Sequence, residues 1–127
     1  MPHEPRKRIL ICDGDRIYSQ ALRLVLTAAG YDSLRIREGD KAMEFLDLDS
    51  DFNLIIADIP LPGADGFQLL KAIRSGHTTR HIPFVFLTGI AAWNSIDRAR
   101  ELDCSDYFIK ASTDLPKVLQ LVEKYTF

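Results

Sequence analysis

Five short apolar runs alternate with five amphipathic stretches along this chain, and that alternation constrains the fold more than any other feature. The apolar runs are RILIC (8–12), DSLRIRE (32–38), NLIIAD (53–58), PFVFLT (83–88) and DYFIK (106–110). An amphipathic stretch of helical length follows each run, so neighbouring strands cannot pair as hairpins. The sequence therefore predicts an α/β fold of (βα)₅ type, in which helices cover both faces of a parallel sheet through right-handed crossovers.

The runs differ in how deeply they should be buried. RILIC, NLIIAD and PFVFLT are nearly continuous in apolar residues, which is typical of parallel strands buried on both faces. DSLRIRE is more polar, which predicts a strand near a sheet edge. In the first helix, apolar residues recur at helical spacing and Gly30 marks the end; they are Ile17, Ala21, Leu24, Val25 and Ala28.

Length and composition exclude several classes of function. A chain of 127 residues predicts one compact domain at 8–127, preceded by a short flexible tail at 1–7. The net charge of −2 argues against direct binding of nucleic acid or of an anionic membrane surface. No stretch approaches the roughly 20 apolar residues of a membrane span. Cys12 and Cys104 lack metal-ligand spacing and indicate reduced thiols in a cytoplasmic protein.

Polar residues lie where the predicted strands end. Asp13 and Asp15 follow the first strand, and Asp58, Thr88 and Lys110 end the third, fourth and fifth. In an open parallel sheet these ends meet at one crevice, where ligands bind. A carboxylate there can attack phosphorus, and a lysine or a Mg²⁺ ion can balance the charge that develops. The set predicts a phosphate or metal site.

Four segments that carry these residues resemble the receiver domain of two-component response regulators. In ADIPLPGADGFQLLKAIR the resemblance implies that Asp58 is the phospho-accepting aspartate. IPFVFLTG matches the segment of the family's hydroxyl residue, at Thr88. SDYFIK matches the segment with an aromatic switch residue and a lysine, at Tyr107 and Lys110. ILICDGD matches the family's acidic pocket, which begins at Asp13.

The resemblance implies a fold, a mechanism and partners. The fold is flavodoxin-like, a doubly wound five-stranded parallel sheet in the order 2-1-3-4-5. Asp58 would accept phosphate from a sensor histidine kinase, a phosphotransfer protein or a small acyl phosphate, and the domain would not be an enzyme in the ordinary sense. Thr88 and Tyr107 would then move and Lys110 would pair with the phosphoryl oxygens. The face from the fourth helix to the fifth would bind an effector or output domain.

Two departures from the family, Gly14 and Pro60, concern the Mg²⁺ ligands; Pro60 keeps its carbonyl for a metal but offers no N–H. Gly14 stands where the family usually has the acid that ligates Mg²⁺ directly, so Asp13, Asp58 and the backbone carbonyl of Pro60 would have to hold the ion with extra waters. We therefore expect weak Mg²⁺ binding. Asp15 is a further candidate ligand, although an acid near the start of a helix is better explained by capping.

A third departure follows the lysine, where the family often has a cis proline. Ala111 stands there, and because a cis bond before a non-proline residue costs about 2.5–4 kcal/mol we predict a trans bond and an altered loop. Together these departures predict a receiver that phosphorylates poorly or works partly without phosphorylation.

Two alternatives remain open from the sequence. A pseudo-receiver would keep the fold and the partner face but use no phosphate, which Gly14 and Ala111 favour. A haloacid dehalogenase-type phosphatase would use Asp13 as nucleophile and Asp15 as acid. The chain lacks the further acidic pair that such enzymes place on another strand after the lysine.

Overall fold

A computed structural model describes residues 5–127 and shows one five-stranded parallel sheet in the order β2-β1-β3-β4-β5. The elements are β1 (Arg8–Cys12), α1 (Arg16–Ala28), β2 (Asp32–Ile36), α2 (Gly39–Leu48), β3 (Leu54–Ala57), α3 (Gly66–Ser75), β4 (Phe84–Thr88), α4 (Trp93–Glu101), β5 (Asp106–Ile109) and α5 (Leu115–Thr126). The predicted (βα)₅ fold and its strand order are confirmed.

The core has two halves, one on each face of the sheet. Side chains alternate along each strand, so that Leu10 and Cys12 of β1 face one half and Ile9 and Ile11 face the other. The first half also takes its buried side chains from α2, α3 and α4, and the second from α1 and α5. β1, β3 and β4 are buried on both faces, as their continuous apolar runs predict, and the more polar β2 lies at a sheet edge.

The apolar spacing of α1 predicts the helix but not which of its faces is buried. The fully buried residues of this helix are Ser19, Leu22 and Leu26, whereas Ile17 is 82% and Leu24 67% exposed. The helix carries apolar residues on more than one face, and its packing against the sheet selects one of them. Gly30 follows the helix with a positive φ of 92°, as the predicted end requires.

Aspartates begin three of the helices at the carboxyl edge of the sheet. The Asp15 carboxylate accepts a hydrogen bond from the Tyr18 amide at 3.0 Å, and the Asp114 carboxylate accepts one from the Lys117 amide. Asp65 forms a capping box at the start of α3. These caps fix the loops that leave β1, β3 and β5, and those loops carry the polar residues of the predicted crevice.

The amino-terminal segment is tied to the domain where the structure describes it. The Lys7 ammonium donates a hydrogen bond to the Thr126 carbonyl, and the Lys7 carbonyl accepts one from the Asp32 amide at 2.9 Å. Residues 1–4 lie outside the described residues, so the division into a tail at 1–7 and a domain at 8–127 stays a prediction. Within residues 5–127, no helix combines the length and apolar character needed to cross a bilayer.

Candidate functional site

The carboxyl edge of the sheet brings two carboxylates onto one ammonium group. Pairing of Cys12 with Ala57 aligns β1 with β3, which sets Asp13 beside Asp58. β5 is separated from β3 by β4, and the long side chain of Lys110 spans that gap. Its Nζ lies 2.9 Å from Oδ2 of Asp13 and 3.1 Å from Oδ2 of Asp58.

Both carboxylates are buried and held by backbone amides. Asp13 is 4% and Asp58 8% exposed. Oδ1 of Asp13 accepts a hydrogen bond from the Asp15 amide at 2.8 Å, and Oδ1 of Asp58 accepts one from the Ile59 amide at 2.8 Å. Two negative charges thus share one positive charge, which leaves the cluster with a net charge near −1. A cluster with this charge attracts a further cation.

The titration of the cluster reflects burial and pairing together. Burial raises the pKa of Asp13 above its usual value, although Lys110 and the Asp15 amide oppose the rise. For Lys110, burial alone would lower the pKa, but the hydrogen bond to Asp13 and the charges of Asp13 and Asp58 outweigh it and raise the pKa. The Lys110 ammonium is therefore charged at neutral pH.

Thr88 and Tyr107 meet at the backbone of Ile90. Thr88 ends β4 and is completely buried, and its hydroxyl accepts a long hydrogen bond of 3.4 Å from the Ile90 amide. The Tyr107 hydroxyl donates to the Ile90 carbonyl at 2.7 Å, while its ring packs against Phe86. Burial and the charge of Asp58 raise the pKa of Tyr107. Ile90, two residues beyond the end of β4, thus contacts both side chains.

Asp15 and Gly14 differ in what they bring to the cluster. The Asp15 side chain is exposed and caps α1, so its carboxylate is not among the groups that contact Lys110. Gly14 contributes no side chain, and a Cβ added there would meet only the Cδ of Pro62, at 3.7 Å. The position therefore has room for a carboxylate that this sequence does not supply.

The oxygen donors at this edge suit Mg²⁺ in kind but are few in number. Within residues 5–127, no three His, Cys, Asp or Glu side chains gather as a metal site. Asp13 and Asp58 are the two carboxylates that converge, and the exposed Pro60 lies two residues beyond Asp58 with its carbonyl as a further oxygen donor. Mg²⁺ keeps several waters when protein carboxylates are few, so this donor set fits a hydrated ion.

Tyr18 also belongs to this site, and the sequence reasoning missed it. The Lys110 ammonium lies 4.4 Å from the centroid of the Tyr18 ring. The available signal was the N-cap at Asp15, which places Tyr18 in the first turn of α1, at the same edge as Lys110.

The loop after β5 contains Ala111, which lies in a short 3₁₀ turn at Lys110–Ser112. The predicted trans bond is confirmed, since residues 5–127 contain no cis peptide.

Comparison with known proteins decides the family. The response regulator receiver domain family matches residues 9–123, almost the whole chain. The chain belongs to this family. The receiver domain is 28% identical over 121 residues to the polar-differentiation response regulator DivK of Brucella ovis, and the match covers 94% of this chain and 95% of that relative.

Solved structures agree with this assignment. The receiver domain of a signal transduction histidine kinase from Syntrophus aciditrophicus is 26% identical, with a TM-score of 0.86 and coverage of 94% of this chain and 89% of that one. The Mn²⁺-bound form of response regulator Rcp1 is 28% identical, with a TM-score of 0.82 and coverage of 94% and 93%. The resemblance inferred from the sequence is thus confirmed.

Family membership also settles the coarse function. Receiver domains of response regulators act in two-component signalling, where they interact with histidine kinases or phosphotransfer proteins and with output domains. Such domains are generally not enzymes in the ordinary sense. The family match does not favour the haloacid dehalogenase interpretation.

Proposed function

We propose that this receiver domain accepts a phosphoryl group on Asp58 and thereby switches a partner-binding face. The observation that carries the proposal is the convergence of Asp58 and Asp13 on the Lys110 ammonium, at 3.1 and 2.9 Å. A buried carboxylate beside a fixed cation can act as a nucleophile, and the cation is already placed where charge develops.

The transfer would proceed by attack of an Asp58 carboxylate oxygen on phosphorus. The bond from phosphorus to the donor's nitrogen or oxygen breaks as the new bond to Asp58 forms, and the donor departs with the bonding electrons. Lys110 balances the charge on the phosphoryl oxygens. A phosphohistidine of a histidine kinase or phosphotransfer protein, or a small acyl phosphate, would be the donor.

We propose that Mg²⁺ supports this transfer and is held weakly. Asp13, Asp58 and the Pro60 carbonyl would hold it, and Asp15 would serve as the helix cap. When bound, the ion supplies charge neutralisation at the phosphoryl oxygens. The open space beside Gly14 argues for low affinity, as does the convergence of only two carboxylates among the residues that the structure describes. At low Mg²⁺ concentration, phosphorylation should therefore be slow.

The switch would run through Ile90 to the face formed by α4, β5 and α5. A phosphoryl group adds roughly −2 of charge, which would draw the Thr88 hydroxyl toward it and weaken the bond to the Ile90 amide. Movement of Ile90 would break the hydrogen bond that holds Tyr107. The change is a shift between two packings that a charge can bias. Trp93, which is 77% exposed at the start of α4, would lie at the surface that the effector reads.

The experiment is phosphorylation by acetyl phosphate at several Mg²⁺ concentrations, followed by intact mass. We expect a fraction of the wild type to gain the mass of one phosphoryl group, and that fraction to rise with the Mg²⁺ concentration. Asp58→Asn should gain none. Asp13→Asn serves as the matched control, since it removes a carboxylate from the same cluster and should slow the gain without abolishing it. No gain in the wild type under any condition would contradict the proposal and support a pseudo-receiver.

A further inference from the structure

The Lys110 ammonium is surrounded on three sides, and one side is aromatic. Asp13 and Asp58 accept from it at 2.9 and 3.1 Å, and the face of the Tyr18 ring lies 4.4 Å from it. The lysine side chain is 18% exposed. A cation over an aromatic face is attracted by the ring quadrupole, and the attraction is larger where water is excluded.

The contact depends on the ring of Tyr18 and not on its hydroxyl. Within residues 5–127, the hydroxyl oxygen of Tyr18 is buried and has no hydrogen-bond partner. A buried hydroxyl without a partner destabilises a fold, so packing alone would favour phenylalanine or leucine at this position. The aromatic face is the part of the side chain that meets a charged group.

The start of α1 fixes the ring in place. The Tyr18 amide donates to the Asp15 carboxylate at 3.0 Å, and the Asp15 amide donates in turn to Asp13 at 2.8 Å. The same short segment therefore orients one carboxylate of the cluster and the ring that covers its cation. Gly14 lies within it and adds no side chain that could displace the ammonium.

We propose that Tyr18 is a positioning residue, whose ring holds the Lys110 ammonium against Asp13 and Asp58. In a site that lacks one acid, the lysine is the resident cation, and its position sets the charge balance around Asp58. The claim that this positioning serves phosphoryl transfer rests on the function proposed above. The claim that the Tyr18 ring holds the Lys110 ammonium does not depend on that function.

Nuclear magnetic resonance of the protein without any phosphoryl donor tests the positioning. Protons over an aromatic face are shifted upfield, so the Lys110 ε-methylene of the wild type should be shifted upfield of lysines such as Lys41 and Lys71, whereas Lys124, which lies 5.2 Å from the centroid of the Tyr125 ring, is left out of the comparison. Tyr18→Phe should keep that shift and Tyr18→Leu should lose it. Lys110→Met identifies the resonance.

Phosphorylation by acetyl phosphate supplies a separate readout. Tyr18→Leu should react roughly 3- to 10-fold more slowly than the wild type, as loss of a half-buried cation–π contact predicts, and Tyr18→Phe should restore the rate. A wild-type Lys110 signal without an upfield shift would overturn the proposal, whether or not Tyr18→Leu folds. So would a Tyr18→Phe variant that behaves like Tyr18→Leu. If the wild type accepts no phosphoryl group, the proposed function fails, while the resonance test still decides the role of Tyr18.

Discussion

At the level of single residues, Gly14 and Lys110 both make the site less negative. Lys110 neutralises one of two buried carboxylates, and Gly14 withholds a third. The remaining charge near −1 attracts a divalent cation less strongly than a three-carboxylate site would. Weak metal binding is thus expected from the number of charges alone.

Gly14→Asp should raise the affinity for Mg²⁺ by about 10-fold or more, because it adds a carboxylate ligand in a space bounded only by Pro62. Isothermal titration calorimetry measures the effect. Gly14→Asn is the matched control, since it has the same size without the charge. An aspartate variant that binds no more tightly than the asparagine variant would contradict the missing-ligand account.

Asp13→Asn should raise the free energy of unfolding at pH 7. Burial raises the pKa of Asp13 in the folded protein above its ordinary value of 3.8, so between the two values the folded state binds more protons than the unfolded state. The unfolding free energy therefore falls as pH rises through that interval, and the variant avoids this loss. Lys110 keeps Asp58 as its partner.

Urea denaturation between pH 4 and pH 8 measures this difference. The advantage of the variant should be full near neutral pH and should shrink as pH falls toward 3.8. An advantage that grows on acidification would show that pairing with Lys110, and not burial, dominates the titration of Asp13.

The site residues were predictable from the sequence to different degrees. Asp13, Asp58, Thr88 and Lys110 follow recognisable strands, so topology alone sends them to one edge. Tyr18 could not be found this way, because its role depends on the direction of a ring within the first turn of a helix. The sequence also left open whether Asp15 is a metal ligand or a helix cap. In the structure its carboxylate accepts a hydrogen bond from the Tyr18 amide, as a helix cap does.

At the level of elements, buried strands were predicted well and one helix face was not. A parallel strand buried on both faces needs a continuous apolar run, and the sequence signal is therefore strong for β1, β3 and β4. In α1 the apolar residues surround more of the helix than the sheet covers. The pattern cannot say which of them lie inward, and Ile17 and Leu24 lie outward.

Two leucines of α1 provide a matched test of its orientation. Leu22 is 1% and Leu24 67% exposed, although both are leucines in the same helix. Leu22→Ala should lower the free energy of unfolding by about 2–4 kcal/mol because it leaves a cavity. Leu24→Ala should change it by less than about 0.5 kcal/mol. Equal effects in chemical denaturation would contradict the orientation of the helix.

At the level of the whole molecule, the parallel topology makes the site. The strand order sets β1 beside β3, and the site becomes a cluster only because Lys110 reaches across β4. The same topology carries the backbone of Ile90 between Thr88 and Tyr107. The alternation of apolar and amphipathic segments predicted the sheet, and the resemblance to receiver domains supplied its order. The distances from the Lys110 ammonium to Asp13 and Asp58 could not be predicted from the sequence and were known only from the folded structure.

Chemical trapping of the phosphoryl acceptor tests the central claim most directly. Borohydride reduces an aspartyl phosphate to homoserine, and peptide mass spectrometry then identifies the position that was phosphorylated. After reaction with acetyl phosphate and Mg²⁺, homoserine should replace aspartate at position 58 alone, and Asp58→Asn should yield none. Homoserine at position 13, or at neither position, would contradict the assignment of Asp58 as the acceptor.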